Sequence, residues 1–132
     1  MDLGFAPDRP ACIVIAGASR GIGWALVQQL LLRTDVGQIF ALARSAPQGG
    51  WPNDSRLIPL DMLINTVGFL HEDQGQQPEK SLRQVSLSAL QRSFTINAGI
   101  PILLAKAFLP LLRGKHRCIF ASLSARVGSI GD

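Results

Sequence analysis

The 132-residue chain contains no tyrosine and only two cysteines. Because tyrosine is absent, no Tyr-x-x-x-Lys motif can occur in it. Two cysteines cannot form a disulfide framework, and Cys12 and Cys118 each lie in a short apolar run, which predicts buried free thiols. His71 and His116 have no cysteine or carboxylate cluster at ligand spacing, so we expect no metal site.

Long apolar segments are lacking as well. The stretches 26–32 and 100–112 are both interrupted, by Gln28, Gln29, Pro101, Lys106 and Pro110. Neither reaches the roughly 20 apolar residues that a membrane span needs. The first ten residues carry two aspartates and no apolar segment behind early basic residues, unlike a signal peptide. We therefore expect a cytoplasmic protein without membrane association.

The composition is that of one globular domain, because 47% of the residues are hydrophobic and 17% are charged. We expect residues 1–132 to form a single domain. The formal net charge is +4, but the lysines and arginines are scattered and have no interleaved aromatic residues. This distribution argues against nucleic-acid binding.

The first third of the chain alternates between apolar runs and glycine turns. Residues 11–16 are a β-branched run that predicts a strand, residues 17–23 are a glycine-rich turn, and residues 22–33 have the composition and spacing of a helix. Residues 38–43 predict a second buried strand. A strand, a helix and a strand joined by short turns predict a right-handed βαβ unit and a parallel sheet.

The later segments continue this alternation. We predict loops at 45–55 and 69–83, strands at 56–60, 62–67 and 116–121, and a helix from the cap Ser86 to Leu112. Pro101 has no N–H and is expected to kink that helix. Asp61 alone separates the strands 56–60 and 62–67, although parallel strands need a crossover of about a dozen residues.

The strongest functional signal is Gly-Ala-Ser-Arg-Gly-Ile-Gly at residues 17–23, between a predicted strand and a predicted helix. Gly17 permits a tight turn, Gly21 lets the backbone approach a pyrophosphate, and Gly23 lets helix and strand pack closely. The N–H groups that begin the helix attract phosphate. The pattern predicts a dinucleotide site; the alternative is a turn with glycine for conformation only.

Together with three later motifs, this turn resembles that of the classical short-chain dehydrogenase/reductase family. The family turn reads TGxxxGIG, and Ala16 stands here in place of its threonine. Asn65-Thr66-Val67-Gly68 resembles the NNAG element, with two of its four residues retained. Asn97 matches the catalytic asparagine, and Ser122-Leu123-Ser124 resembles the serine motif. The resemblance implies a doubly wound parallel sheet of the Rossmann type.

Two further segments resemble the C-factor-like branch of this family. They are Pro78-Glu79-Lys80 and residues 124–130, Ser-Ala-Arg-Val-Gly-Ser-Ile. The resemblance to the family as a whole implies oxidoreduction of a small carbonyl or alcohol substrate.

The charges around the turn indicate which cofactor is bound. NAD enzymes place a carboxylate about 20 residues beyond the turn, whereas NADP enzymes need a cation for the 2′-phosphate. Here Arg44 follows the second strand and Arg20 lies in the turn. Either could be a solvated surface residue, but paired guanidinium groups suit a phosphate, so we predict NADP(H). The predicted contacts are Gly17, Ser19, Arg20, Gly21, Ile22, Gly23, Arg44, Asp61, Asn65 and Gly68.

The resemblance also implies catalytic roles. In the family a serine binds the substrate oxygen, a tyrosine is the acid or base, a lysine lowers the tyrosine pKa, and an asparagine supports a water. Ser124 is the candidate serine, with Ser122 as the alternative, and Asn97 is the candidate asparagine. The alternatives are a strand-end serine that satisfies a turn and a helical asparagine bonded to nearby backbone.

The chain departs from the family in two places. The tyrosine and lysine of the family follow the serine motif, whereas this sequence ends at Asp132 without them. In the family a helix joins the strand that ends in an adenine-contacting aspartate to the NNAG strand, and the two strands flank the first strand on opposite sides. Asp61 is therefore either that adenine contact or simply the residue before the NNAG strand.

From these departures we expect a truncated domain that lacks the C-terminal strands and one crossover helix and is inactive by itself. The alternatives are a non-catalytic NADP-binding or signalling polypeptide and a truncated gene product without function. Such a domain would expose apolar helix faces and an unpaired strand edge. These surfaces would favour association of the chain, for example as a homo-oligomer.

Overall fold

The apolar run at residues 11–16 forms the central strand of a parallel sheet in the computed structural model, which describes residues 5, 9–44, 60–70, 77–112 and 117–124. Every residue of this strand is buried, as expected for an apolar strand covered on both faces. The four strands of the sheet are β1 (Ala11–Ala16), β2 (Val36–Leu42), β3 (Met62–Asn65) and β4 (Ile119–Ser122). Their order is β2-β1-β3-β4, and all neighbours are parallel.

Helices cover both faces of this sheet. On one face α1 (Gly21–Leu31) packs through the buried Val27 against Ile13 and Ile15 of β1. On the other face lies α3 (Ile100–Phe108), whose apolar side chains contact the alternate β1 residues and β3. Successive side chains of a strand point to opposite faces, so β1 serves both layers. The predicted α/β fold, a doubly wound parallel sheet of the Rossmann type, is confirmed.

The helix predicted from Ser86 to Leu112 is divided into three parts. Ser86 caps α2 (Leu87–Phe94), since its Oγ accepts a hydrogen bond from the Ala89 N–H at 3.2 Å. A π-helical turn, Thr95–Gly99, then leads into α3. Pro101 lacks an N–H and crowds the carbonyl four residues before it, and a wider turn relieves this conflict. The predicted kink therefore takes the form of a π turn.

Several predicted boundaries shift by a few residues. The helix predicted at 22–33 is α1, the strand predicted at 38–43 is β2, and the strand predicted at 116–121 is β4. Of the strand predicted at 56–60, only Leu60 is described, and it is not in a strand. The loop predicted at 45–55 and residues 71–76 and 125–132 also lie outside the described residues. The loop predicted at 69–83 leads into a short 3-10 helix, Leu82–Gln84.

Apolar side chains on the outer helices remain uncovered within the described residues. More than half of the surface is exposed for Leu87, Leu90, Phe94, Ile102 and Leu103. Isolated exposed apolar residues are normal, but several on consecutive helices form a surface suited to contact with protein. No helix in the described part of the chain is both long and apolar enough to span a bilayer.

Candidate functional site

The carboxyl ends of the parallel strands bring most of the predicted site residues to one edge of the sheet. The glycine turn follows β1, Arg44 follows β2, Thr66 follows β3, and Leu123 follows β4. Hydrogen bonds join these ends: the Leu123 N–H donates to the Asn65 carbonyl at 3.0 Å. Ligands of open α/β sheets bind outside this edge. We call it the carboxyl edge.

The glycine turn requires glycine at its first position for conformational reasons. Gly17 has a φ of 86°, in the left-handed region that residues with a Cβ rarely adopt. The N–H groups of Gly17 and Ala18 both donate to the Leu42 carbonyl, at 2.8 and 3.1 Å. The turn is therefore held against the end of β2, and the predicted role of Gly17 in a tight turn is confirmed.

The other two glycines of the motif have different surroundings. A Cβ at Gly23 would collide with the Gly17 carbonyl oxygen and would lie 2.6 Å from the Thr66 Oγ1. This is the close packing of helix and strand that the motif predicts. Gly21 also has a positive φ, 56°, but no atom lies within 4 Å of a Cβ placed there. The backbone at Gly21 is thus accessible to a ligand.

Among the described residues, no side chain caps the start of α1. Arg20 precedes the helix with an extended backbone, its side chain forms no cap, and the first turn contains no acidic residue. The first N–H groups of a helix have no partner within the helix and carry a partial positive charge. An anion is therefore favoured here. Ser19 is partly buried beside this end, and the Ile22 side chain is 63% exposed.

Arg20 and Arg44 are both exposed beside the carboxyl edge. Within the described residues neither makes an ion pair, whereas Arg9 and Arg33 each bind an aspartate. A guanidinium group without a protein carboxylate remains available for a phosphate. Both side chains are cations at this edge that suit a 2′-phosphate, and their role in binding it stays a prediction.

Asn65 lies inside the sheet instead of on its surface. The residue is 1% exposed, and its Nδ2 donates to the Ser122 Oγ at 2.9 Å, while its Oδ1 accepts from the Val67 N–H at 3.1 Å. Both ends of the amide are therefore engaged by protein groups. The structure places Asn65 as a link between β3 and β4 that supports the edge, and the predicted direct cofactor contact is not available to its side chain.

The two candidate serines occupy different positions. Ser122 ends β4, and its Oγ accepts the hydrogen bond from Asn65. Ser124 lies two residues farther along the chain and is exposed. Both serines are exposed at the carboxyl edge, the Ser122 hydroxyl is bonded to Asn65, and the catalytic role of Ser124 stays a prediction. Gly68 is also exposed here, at the start of the loop that follows β3.

Asn97 holds that loop against the π turn. Its Oδ1 accepts from the Phe69 N–H and its Nδ2 donates to the Phe69 carbonyl, both at 2.8 Å, and Nδ2 also donates to the Ser93 Oγ at 3.2 Å. The guanidinium of Arg92 lies 4.9 Å from the Phe69 ring centre. The Asn97 side chain is thus bonded to the backbone of a residue distant in sequence, and its catalytic role stays a prediction.

Asp61 lies at the opposite edge of the sheet, which corrects the prediction that it contacts the cofactor. It immediately precedes β3, next to Cys12 near the start of β1, and is fully buried. Its carboxylate accepts from the Cys12 N–H at 2.8 Å and from both terminal nitrogens of Arg9, at 2.7 and 2.8 Å. A buried carboxylate with these partners cannot reach an adenine. Asp61 is the residue before the NNAG-like strand.

Thr66 lies at the carboxyl edge but was not predicted to be a site residue. In the sequence it only differs from the second asparagine of the NNAG element. Its Oγ1 donates to the Ala16 carbonyl at 2.8 Å and lies 3.2 Å from the Gly17 carbonyl. A hydroxyl residue directly after an apolar strand, in a chain with a glycine turn after another strand, is the signal that could have indicated this contact.

The two cysteines are expected to be poorly reactive. Burial first, and then the nearby Asp61 carboxylate, raise the pKa of the Cys12 and Cys118 thiols above the ordinary value of 9.0, while Arg9 acts in the opposite direction. Because the thiolate is the nucleophile, we expect iodoacetamide to alkylate the buried Cys12 much more slowly in the folded chain than in urea below pH 9.0.

The same raised pKa has a consequence for stability. The unfolded chain loses the thiol proton near 9.0 while the folded chain keeps it, so the free energy of unfolding should fall as the pH rises above that value. Mass spectrometry of alkylated peptides and urea unfolding at several pH values measure the two effects. Cys118 is less buried and should react before Cys12 in the folded chain; equal rates in folded and unfolded chains would contradict this assignment.

No protein-family model matches the sequence, and no curated protein matches it. Solved structures of carbonyl reductases share its fold. Sniffer of Caenorhabditis elegans, named as a carbonyl reductase, superposes with a TM-score of 0.68 at 23% identity, over 93% of this chain and 66% of that one. The NADPH-bound carbonyl reductase from chicken fatty liver gives a TM-score of 0.71 at 21% identity, over 94% of this chain and 60% of that one.

The chain thus spans 60 to 66% of the length of these two structures. At this level of identity the comparison concerns the fold. The chain has the fold of these carbonyl reductases, the Rossmann-like fold that its resemblance to the short-chain dehydrogenase/reductase family predicts.

Proposed function

We propose that the chain is the NADP(H)-binding portion of a short-chain dehydrogenase/reductase that interconverts carbonyl and alcohol groups. The observation that carries this proposal is the glycine turn at the carboxyl edge, with positive φ angles at Gly17 and Gly21 and open space in front of Gly21. The bound NADPH of the chicken reductase, which has the same fold, supports the choice of cofactor.

The residues of the edge fit a phosphorylated dinucleotide. The pyrophosphate would lie against Gly21 and the first N–H groups of α1, where the backbone is accessible and the helix end is positive. Arg20 and Arg44 would bind the 2′-phosphate by paired hydrogen bonds. When bound, NADPH supplies a hydride for a carbonyl carbon, and the exposed Ser124 hydroxyl would donate a hydrogen bond to the carbonyl oxygen.

A non-catalytic NADP-binding polypeptide is the second candidate. It is favoured by the absence of tyrosine from the chain and by the engagement of the Asn97 amide with Phe69. It uses the same cofactor site, so it differs from the first candidate only in turnover. Location in the cytoplasm and self-association, the latter supported by the exposed apolar helix residues, are further proposals.

The cofactor assignment is tested by the substitution Arg44→Asp. We expect the affinity for NADPH to fall about 10- to 100-fold, because a charge-assisted hydrogen bond contributes about 1.5 to 3 kcal/mol and about 1.4 kcal/mol corresponds to tenfold. The affinity for NADH should change much less, because it has no 2′-phosphate. Titration of both cofactors by fluorescence measures the difference.

Arg117→Asp is the matched control for this test. Arg117 is exposed before β4, at the end of the sheet away from the glycine turn, and the substitution changes the net charge equally. Equal losses in both variants would indicate a general charge effect. Equal affinity of the unmodified chain for NADPH and NADH would refute the roles of Arg20 and Arg44, and binding of neither would refute the proposed function.

A further inference from the structure

We infer that Thr66 is a positioning residue of the cofactor site: its hydroxyl fixes the backbone of the glycine turn from behind and so sets the affinity for NADP(H) without touching the cofactor. The inference rests on the proposed function for its ligand. The contacts of Thr66 with the glycine turn do not depend on that ligand.

The hydroxyl acts on the two peptide groups that determine the conformation of Gly17. Thr66 Oγ1 donates to the Ala16 carbonyl at 2.8 Å and also approaches the Gly17 carbonyl, at 3.2 Å. One hydroxyl hydrogen can be shared between two acceptors. The orientation of the peptide before Gly17 and of the peptide after it sets its φ and ψ. Thr66 therefore contacts both groups that maintain the φ of 86°.

The same two peptide groups are held on their other side by β2. The N–H groups of Gly17 and Ala18 donate to the Leu42 carbonyl at 2.8 and 3.1 Å. Each peptide is thus bound at its N–H by Leu42 and at its C=O by Thr66. Without the hydroxyl, the Ala16 carbonyl would keep its bond from the Thr66 N–H, whereas the Gly17 carbonyl would lose its contact with Thr66.

Thr66 also fills the space that two glycines leave open. Its Oγ1 would lie 2.7 Å from a Cβ at Gly17 and 2.6 Å from a Cβ at Gly23, the third glycine of the motif, near the start of α1. The hydroxyl therefore determines how closely the helix approaches the turn. Because the phosphate-binding N–H groups belong to this helix and this turn, their positions depend on Thr66.

The hydroxyl is not needed for the sheet itself. The Thr66 N–H donates to the Ala16 carbonyl at 2.9 Å, and this bond continues the pairing of β1 and β3 whatever the side chain. Removal of the hydroxyl should thus affect the turn more than the fold. This separation distinguishes a positioning residue from a merely structural one.

The test compares Thr66→Val, which keeps the size and removes the donor, with Thr66→Ser, which keeps the donor. NADPH affinity is measured for the full 132-residue chain by titration. We expect Thr66→Val to weaken binding about fivefold to tenfold, the effect of one or two neutral hydrogen bonds. Thr66→Ser should stay within about twofold of the unmodified chain. Thr34→Val, at an exposed turn residue, is the control for the same chemical change.

Amide hydrogen exchange provides a second measurement that does not depend on NADPH. Exchange at Gly17 and Ala18 should be faster in Thr66→Val than in Thr66→Ser, because the turn opens more often without the hydroxyl. If the valine variant does not fold, Thr66→Ala replaces it in both measurements, since alanine places no methyl group beside the two carbonyls.

Each outcome discriminates between the inference and the function it rests on. Unchanged NADPH binding in Thr66→Val would overturn the inference and leave the proposed function intact. Equal losses in the valine and serine variants would also overturn it, because packing and not the hydroxyl would then control binding. If the unmodified chain binds no NADPH, the proposed function fails, whereas faster exchange at Gly17 in the valine variant alone still supports positioning of the turn by Thr66.

Discussion

Replacement of Asp61 by asparagine should lower the free energy of unfolding by about 3 kcal/mol, because it removes the buried carboxylate from its ion pair with Arg9. Asp61 is fully buried, and Arg9, its partner at 2.7 Å, is 24% exposed in its side chain. The substitution also weakens the bond from the Cys12 N–H at 2.8 Å. The partial exposure of Arg9 keeps the expected loss at the lower end of the range for buried pairs.

The control is Asp35→Asn, which breaks the other ion pair between described residues. The Arg33 Nη2 and the Asp35 Oδ2 are 2.6 Å apart, but the two side chains are 31% and 32% exposed. An exposed pair of this kind contributes about 0 to 1 kcal/mol. Urea unfolding of both variants at neutral pH measures the difference. Equal losses in the free energy of unfolding would show that burial does not strengthen the contribution of the Arg9–Asp61 pair.

The Asp61 variant also tests the placement of this residue away from the cofactor. Under conditions in which the variant is folded, its NADPH affinity should equal that of the unmodified chain. A selective loss of NADPH affinity without a loss of stability would restore the interpretation of Asp61 as an adenine contact, which its burial and its bonds to Arg9 and Cys12 oppose.

The elements whose signals are local could be predicted from the sequence. The run 11–16 is entirely apolar, so it predicts a strand buried on both faces, and the structure places β1 at those residues. Gly17 was predicted to permit a tight turn, and its φ of 86° lies in the left-handed region. Ser86 was predicted as a helix cap, and its Oγ accepts from Ala89. Each of these features depends on residues within a few positions of one another.

The parts that were not predicted depend on the register between distant strands. Arg9 and Asp61 are 52 positions apart, and Thr66 and Ala16 are 50 apart. Their contacts exist because Ala16 pairs with Asn65 across β1 and β3. A slip of one residue would turn every β3 side chain to the other face. Sequence patterns alone left open which segment lies beside β1, so Asp61 had two interpretations.

The same limit applies to the polar residues of the carboxyl edge. Asn65 and Asn97 were identified by their positions in motifs, and a motif does not specify whether an amide faces a ligand or the protein. The structure shows both amides engaged, one with Ser122 and one with Phe69. Asn65 is buried and supports the edge from inside the sheet, whereas Asn97 is exposed and holds the loop after β3.

The 132-residue chain should oxidise NADPH no faster than a buffer control when generic aldehydes and ketones are supplied. It contains no tyrosine, and the hydroxyl of Ser124 can polarise a carbonyl without being a useful proton donor. Positioned acid–base catalysis contributes about 10²- to 10⁴-fold to a rate. Loss of the donor should therefore leave little turnover. The chain spans 60 to 66% of the length of the two reductases, so fewer residues are available to place the nicotinamide against the substrate.

The loss of NADPH absorbance measures this turnover, and a longer chain is the positive control. A chain extended after Ser124 by a Tyr-x-x-x-Lys segment and with a crossover helix inserted before β3 should reduce the same substrates, because it gains a proton donor. If the 132-residue chain itself turns over and Ser124→Ala abolishes the activity, then another group must donate the proton. Ser124 would in that case already lie in a working site, and the assignment of this chain as a binding portion without catalysis would be wrong.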